Sequence, residues 1–105
     1  GWADVALSAH MTTQYVEQVY ALDAAARQDV RLFMMPGVLH CYGGDGPSIV
    51  DWVDALERWH ATGQAPRELV ARYPDRPGAR KLCAWPASAR YTDGDSESAD
   101  SYVCE

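Results

Sequence analysis

Arg31-Leu32-Phe33-Met34-Met35-Pro36-Gly37-Val38-Leu39-His40-Cys41 is an apolar run that stops at a Pro-Gly turn and then presents one histidine. From Val30 to Met35 the apolar residues do not alternate with polar ones, which suits a strand buried on both faces of a parallel sheet. Proline has no N–H to give to a ladder, so Pro36-Gly37 ends the strand. His40 then falls on the loop beyond the strand's carboxyl end, with Cys41 beside it.

Upstream, Tyr15, Val19, Leu22 and Ala25 or Ala26 recur at three- and four-residue steps between Thr12 and about Arg27, the spacing of an amphipathic helix capped by Thr12 or Thr13. Downstream, Gly43, Gly44 and Gly46 read as a flexible loop, without the Lys and Ser or Thr of a phosphate-cradling motif. Ser48 opens a second helix, with Asp51 completing a near capping box, and Ile49, Trp52, Val53, Leu56 and Trp59 form its inner stripe. Gly63 closes it. Glu68 to Tyr73 reads as a short strand and Pro74 to Arg80 as turn and loop. The tail from Lys81 to Glu105 has Trp85 and Tyr91 as anchors but little periodicity, and a Cys83 to Cys104 bridge would fasten it at a gain of roughly 3 kcal/mol.

Helix, strand, helix is α/β architecture: parallel-sheet strands with flanking helices. Residues 1–80 form the strand-helix segment and 81–105 the tail. One or two strands cannot hold a parallel sheet together alone, so the segment is incomplete on its own. It is expected to pack against the preceding part of the same gene product or another copy.

At 105 residues the chain is at most one domain. A net charge of -6 with only 9 Lys and Arg argues against nucleic-acid partners. No apolar stretch approaches the roughly 20 residues of a membrane span, and Gly1-Trp2-Ala3-Asp4 begins with neither a charged leader nor an apolar signal core. Of Cys41, Cys83 and Cys104, two can pair in an oxidising compartment while the third seeks a partner outside; in the cytosol all three would stay free. Zinc is disfavoured, because no pair has Cys-x-x-Cys spacing and adjacent His40 and Cys41 make a poor ligand pair.

A histidine delivered onto a loop by a buried strand is how an α/β-hydrolase carries its general base, and in that fold the acid precedes the base. Asp4 stands just ahead of the first helix and His40 follows the next strand. Both then lie at the carboxyl ends of adjacent strands, where ligands bind in such sheets. Taken singly, His40 is an ordinary loop histidine and Asp4 a helix cap or surface carboxylate. Their order and the strand-turn-His-Cys context favour base and acid. No Gly-x-Ser-x-Gly elbow occurs, so the nucleophile is expected outside these residues. His10 and His60 read as solvated, and Asp93, Asp95, Glu97 and Asp100 as an acidic loop rather than a calcium loop.

The chain resembles the carboxy-terminal portion of the tannase and feruloyl esterase family of α/β-hydrolases over nearly its whole length. The resemblance is carried by Gly1-Trp2-Ala3-Asp4, Tyr15-Val16-Glu17-Gln18-Val19, Arg31 to Gly37 with His40-Cys41, and Gly43-Gly44. It continues through Asp51 to Trp59, Gly63-Gln64-Ala65-Pro66, Leu82 to Pro86 and Ala89-Arg90-Tyr91. It implies Asp4 as triad acid, His40 as base, and Cys41 bonded to an upstream cysteine that directly precedes the nucleophilic serine. It also implies Cys83 with Cys104 as a structural pair, and a serine, oxyanion hole and lid domain upstream of Gly1. Implied too are secretion or a periplasmic location, small aromatic esters (feruloyl, galloyl or terephthalate monoester) as substrates, and no cofactor here, calcium belonging to the lid. One departure is that Asp4-Val5-Ala6-Leu7 stands where the family has Asp-Pro-Leu or Asp-Pro-Val, which loosens the acid's loop. Two other readings compete: a non-catalytic binding module on the same scaffold, and a small metal-binding domain using His40 and the cysteines.

Overall fold

The computed structural model describes residues 1–105. Helices come first and short strands last: α1 (Ala9–Leu22), α2 (Ala26–Asp29), α3 (Trp52–Thr62), β1 (Glu68–Arg72), β2 (Ala79–Cys83), β3 (Ala89–Tyr91), a 3-10 turn at Ala99–Ser101 and β4 (Tyr102–Cys104). β1 pairs antiparallel with β2, and β3 antiparallel with β4. The disulfide between Cys83 and Cys104, with Cα atoms 5.6 Å apart, joins the two ladders, so the β3–β4 pair of the tail is stapled to the hairpin of β1 and β2 before it.

The first helix differs from its expected span because Asp23 interrupts it. Its carboxylate accepts the Ala25 N–H at 2.8 Å, a local turn that competes with the helical bond, and the chain restarts as α2. The cap expected at Thr12 or Thr13 falls at Ser8, without a side-chain bond. The buried face is also another one. Thr13, Val16 and Tyr20 turn inward while Tyr15 and Leu22 are exposed. Thr13 is a polar residue that a hydropathy pattern assigns to solvent, but its hydroxyl bonds back to His10 O at 3.0 Å and so can be buried.

The second helix starts at Trp52, not near Ser48, because both Ser48 and Ile49 donate their N–H groups to Arg72 O and Ile49 O accepts from Arg72 N. Asp51 is the cap, accepting from Asp54 N at 3.0 Å, and Gly63 closes the helix in the left-handed conformation. Of the expected inner stripe, Ile49, Trp52, Val53 and Leu56 are exposed and only Ala55 of α3 is buried. Trp52 meets the Phe33 ring, centroids 6.5 Å apart, and the Arg31 guanidinium stands 6.0 Å over Trp59, while Ile49, Val53 and Leu56 stay largely uncovered within residues 1–105.

The parallel pairing expected for Val30 to Met35 is not formed within residues 1–105. The segment is extended, yet its only bridge is an antiparallel one from Phe33 to Ala84, with Trp85 N donating to Leu32 O at 2.8 Å. Parallel pairing needs a second strand arriving through a crossover, and no strand within these residues offers one. The core is correspondingly small, centred on Val38, Ala71, Leu82 and Cys83.

Candidate active site

Two backbone bonds hold the amino-terminal segment against the histidine-bearing one. Trp2 N donates to Met35 O at 2.9 Å and Ala3 N to Val38 O at 3.1 Å, so the next residue, Asp4, emerges beside the loop that follows Pro36-Gly37. The loop between Gly43 and Gly46 is packed, contrary to the flexibility its composition suggests. Leu39 N donates to Gly43 O at 3.0 Å and Gly46 N to Gly37 O at 3.1 Å. The crossing is so close that a Cβ on Gly46 would stand 1.9 Å from Pro36 O, and one on Gly44 2.2 Å from Gly37 O. Only glycine permits this approach.

At the end of that support His40 Nδ1 lies 2.7 Å from Asp4 Oδ2. The Asp4 side chain is 9% exposed and that of His40 52%. The other carboxylate oxygen accepts the N–H groups of Ala6 at 2.8 Å and Leu7 at 2.9 Å. These amides do what the missing proline was expected to do, tying the acid's turn down without ring rigidity. The Leu7 N–H, then the His40 ring, hold the Asp4 carboxyl down from its ordinary 3.8 to about 2. Ionised, the carboxylate is acceptor-only, so Nδ1 carries the proton that joins them. Nε2 is left as the acceptor, and it has no hydrogen-bond partner within residues 1–105.

Cys41 follows in the left-handed backbone region, φ 62°, and is free and exposed. Tyr42 N closes the tight turn on His40 O at 2.7 Å. Cys83 and Cys104, bonded to one another, cannot serve as thiolate ligands beside His40. No group of three or more His, Cys, Asp or Glu side chains gathers to hold a metal ion. In the acidic loop, Glu97 is engaged by Arg76 at 2.7 Å and Arg80 at 2.9 Å. His10 stands 5.6 Å from the Trp2 ring and His60 is exposed near the end of α3; neither joins the pair. The structure brings the two residues named from the sequence, Asp4 and His40, into contact, and adds the Ala6 and Leu7 amides, whose only signal in the sequence is an aspartate two and three residues before them.

Across residues 1–105 the sequence matches the family model described as tannase and feruloyl esterase. The chain belongs to the tannase and feruloyl esterase family. It is 42% identical over 81 residues to a probable feruloyl esterase of Arthroderma benhamiae, covering 70% of this chain and 15% of that protein. It is 35% identical over 112 residues to a mono(2-hydroxyethyl) terephthalate hydrolase of Piscinibacter sakaiensis, covering 99% and 18%. A crystal structure of an esterase from Aspergillus oryzae superposes with a TM-score of 0.79 at 20% identity over 97% of this chain and 25% of that one. At 20% identity the likeness is one of fold alone, with a segment of about a quarter of that chain. This tannase-family chain thus spans 15% and 18% of the length of these two relatives.

Proposed function

We propose that residues 1–105 carry the acid and base of a serine carboxylesterase acting on small aromatic esters, the serine standing on polypeptide outside these residues. The observation that carries the reading is the 2.7 Å contact between Asp4 Oδ2 and His40 Nδ1, with the opposite ring nitrogen open. In the proposed reaction the serine oxygen attacks the ester carbonyl while His40 Nε2 takes the hydroxyl proton. The tetrahedral intermediate collapses, and His40 returns that proton to the leaving alkoxide. Water then gives its proton to Nε2 as it attacks the acyl-enzyme, and the second tetrahedral intermediate collapses as Nε2 returns that proton to the serine oxygen, releasing the acid and the free serine. Asp4 keeps the imidazole in the Nδ1–H tautomer and stabilises its charged form.

Feruloyl, galloyl and terephthalate monoesters are the proposed substrate class, on the strength of family membership and of relatives described as a probable feruloyl esterase and a mono(2-hydroxyethyl) terephthalate hydrolase. The Val30 to Met35 segment is proposed to join a parallel sheet supplied by the remainder of the chain, which would also cover the apolar faces of α1 and α3. Cys41 is proposed to bond a cysteine next to the serine. The chemistry needs no cofactor, and calcium, where the lid carries it, has no ligand proposed here. A secreted or periplasmic location is supported by the Cys83 to Cys104 disulfide, and no helix is long and apolar enough to cross a membrane.

The test is His40→Ala in the full-length protein, read with a para-nitrophenyl aromatic ester and with a serine-directed organophosphate. Turnover falls by about 10⁴-fold or more and labelling slows in parallel. Turnover within tenfold of the parent, as a binding module with unrelated background activity would give, overturns the reading.

A further inference from the structure

We propose that a cavity away from the Asp4–His40 pair binds a carboxylate group through Arg27, Arg31 and Arg67. Of the nine cationic side chains, Arg58, Arg76, Arg80, Lys81 and Arg90 are each ion-paired with an Asp or Glu. Of the four that are not, three line one cavity of about 410 Å³, and no carboxylate lines it with them. In a protein of net charge -6 that gathering is unexpected, because like charges around one space repel unless an anion joins them.

The cavity is also organised. Tyr20 and Trp85 give it aromatic walls. The Arg27 guanidinium sits 4.1 Å over the Tyr20 ring, and the Tyr20 hydroxyl donates to Val30 O at 3.1 Å. Arg31 Nη1 donates to the same carbonyl at 3.0 Å, leaving its remaining N–H groups for a ligand. Arg67 is fixed only through its backbone, where its carbonyl accepts from Ala84 N at 2.9 Å, and its guanidinium has no partner within the chain. Planar guanidinium forks match a planar carboxylate bidentately, and aromatic walls suit a ring attached to it. Arg31 opens the extended run that Pro36 closes, roughly 16 Å along at about 3.3 Å per residue, so the cavity lies at the opposite end from the His40 loop. The inference is independent of the esterase reading.

The carboxylate has two sources to distinguish, a free aromatic acid or an Asp or Glu of polypeptide beyond residues 1–105. Calorimetric titration of the full-length protein with benzoate, beside the thermal midpoints of the parent, Arg67→Gln, Arg31→Gln and Arg67→Lys, separates them. A free-acid site gives stoichiometric benzoate binding that Arg67→Gln weakens by about tenfold or more. A site filled by the protein's own carboxylate gives no benzoate binding but a lowered midpoint in Arg67→Gln and Arg31→Gln, partly restored in Arg67→Lys. Benzoate binding unchanged by Arg67→Gln, or no binding together with unchanged midpoints in both glutamine variants, overturns the proposal.

Discussion

Replacing Asp4 by Asn removes one charge and almost no volume, yet the hydrogen bonds around the carboxylate turn that small change into a large loss of activity. Oδ1 accepts from the Ala6 and Leu7 amides, so an asparagine that keeps this turn must place its carbonyl oxygen there. Its NH₂ group then occupies the Oδ2 position, 2.7 Å from His40 Nδ1. A donor facing Nδ1 forces that nitrogen to accept, and the ring proton moves to Nε2. In the proposed triad Nε2 receives the serine proton, so the base would be blocked in its resting tautomer. A loss of about 10⁴-fold in kcat is expected, with KM nearly unchanged because no substrate contact is altered. The assay is steady-state hydrolysis of an aromatic para-nitrophenyl ester by the full-length protein, with circular dichroism confirming the parent fold. A kcat within tenfold of the parent, in a folded variant, refutes the tautomer argument.

Gly46→Ala pushes a methyl against Pro36 O at 1.9 Å and is expected to destabilise by about 1–3 kcal/mol, read as a lower urea midpoint; an unchanged midpoint contradicts the close crossing. Cys104→Ser opens the staple between the two hairpins and should lower stability by roughly 3 kcal/mol under oxidising conditions, with the difference from the parent vanishing in reductant. The Asp4 carboxyl is held below its unfolded value, so the stability it contributes is complete above about pH 4 and lost as pH falls towards about 2. Thermal midpoints across that window should fall more steeply for the parent than for Asp4→Asn, and parallel slopes contradict the assignment.

The features legible in the residues were local. The strand read at Glu68 to Tyr73, found at Glu68–Arg72, and Gly63 as a helix stop rest on short-range chemistry, and the structure contains both, together with the bond that fastens Cys83 to Cys104. The Asp4–His40 contact was legible too, because a helical stretch, split in the structure into α1 and α2, and one extended run separate the two and bring the chain back beside its start. What was not legible depended on partners. Hydropathy finds an apolar stripe on α1 but not which stripe faces inward, and Thr13 conceals itself by bonding its own helix. The unalternating run before Pro36 is written for neighbours on both sides, while residues 1–105 give it only Ala84 and Trp85 on one flank and Trp2 on the other. Composition misread the glycines as slack, since the same lack of a Cβ serves a tight crossing as well as a loose loop.

The central claim is that His40 Nε2 faces a nucleophilic serine from outside these residues. The most direct measurement is a crystal structure of the full-length protein, free and after reaction with an organophosphate. A serine Oγ about 2.6–3.2 Å from His40 Nε2 in the free form, carrying the phosphoryl group after reaction, is the predicted result. An Nε2 with no hydroxyl in reach and a label bound elsewhere would contradict it.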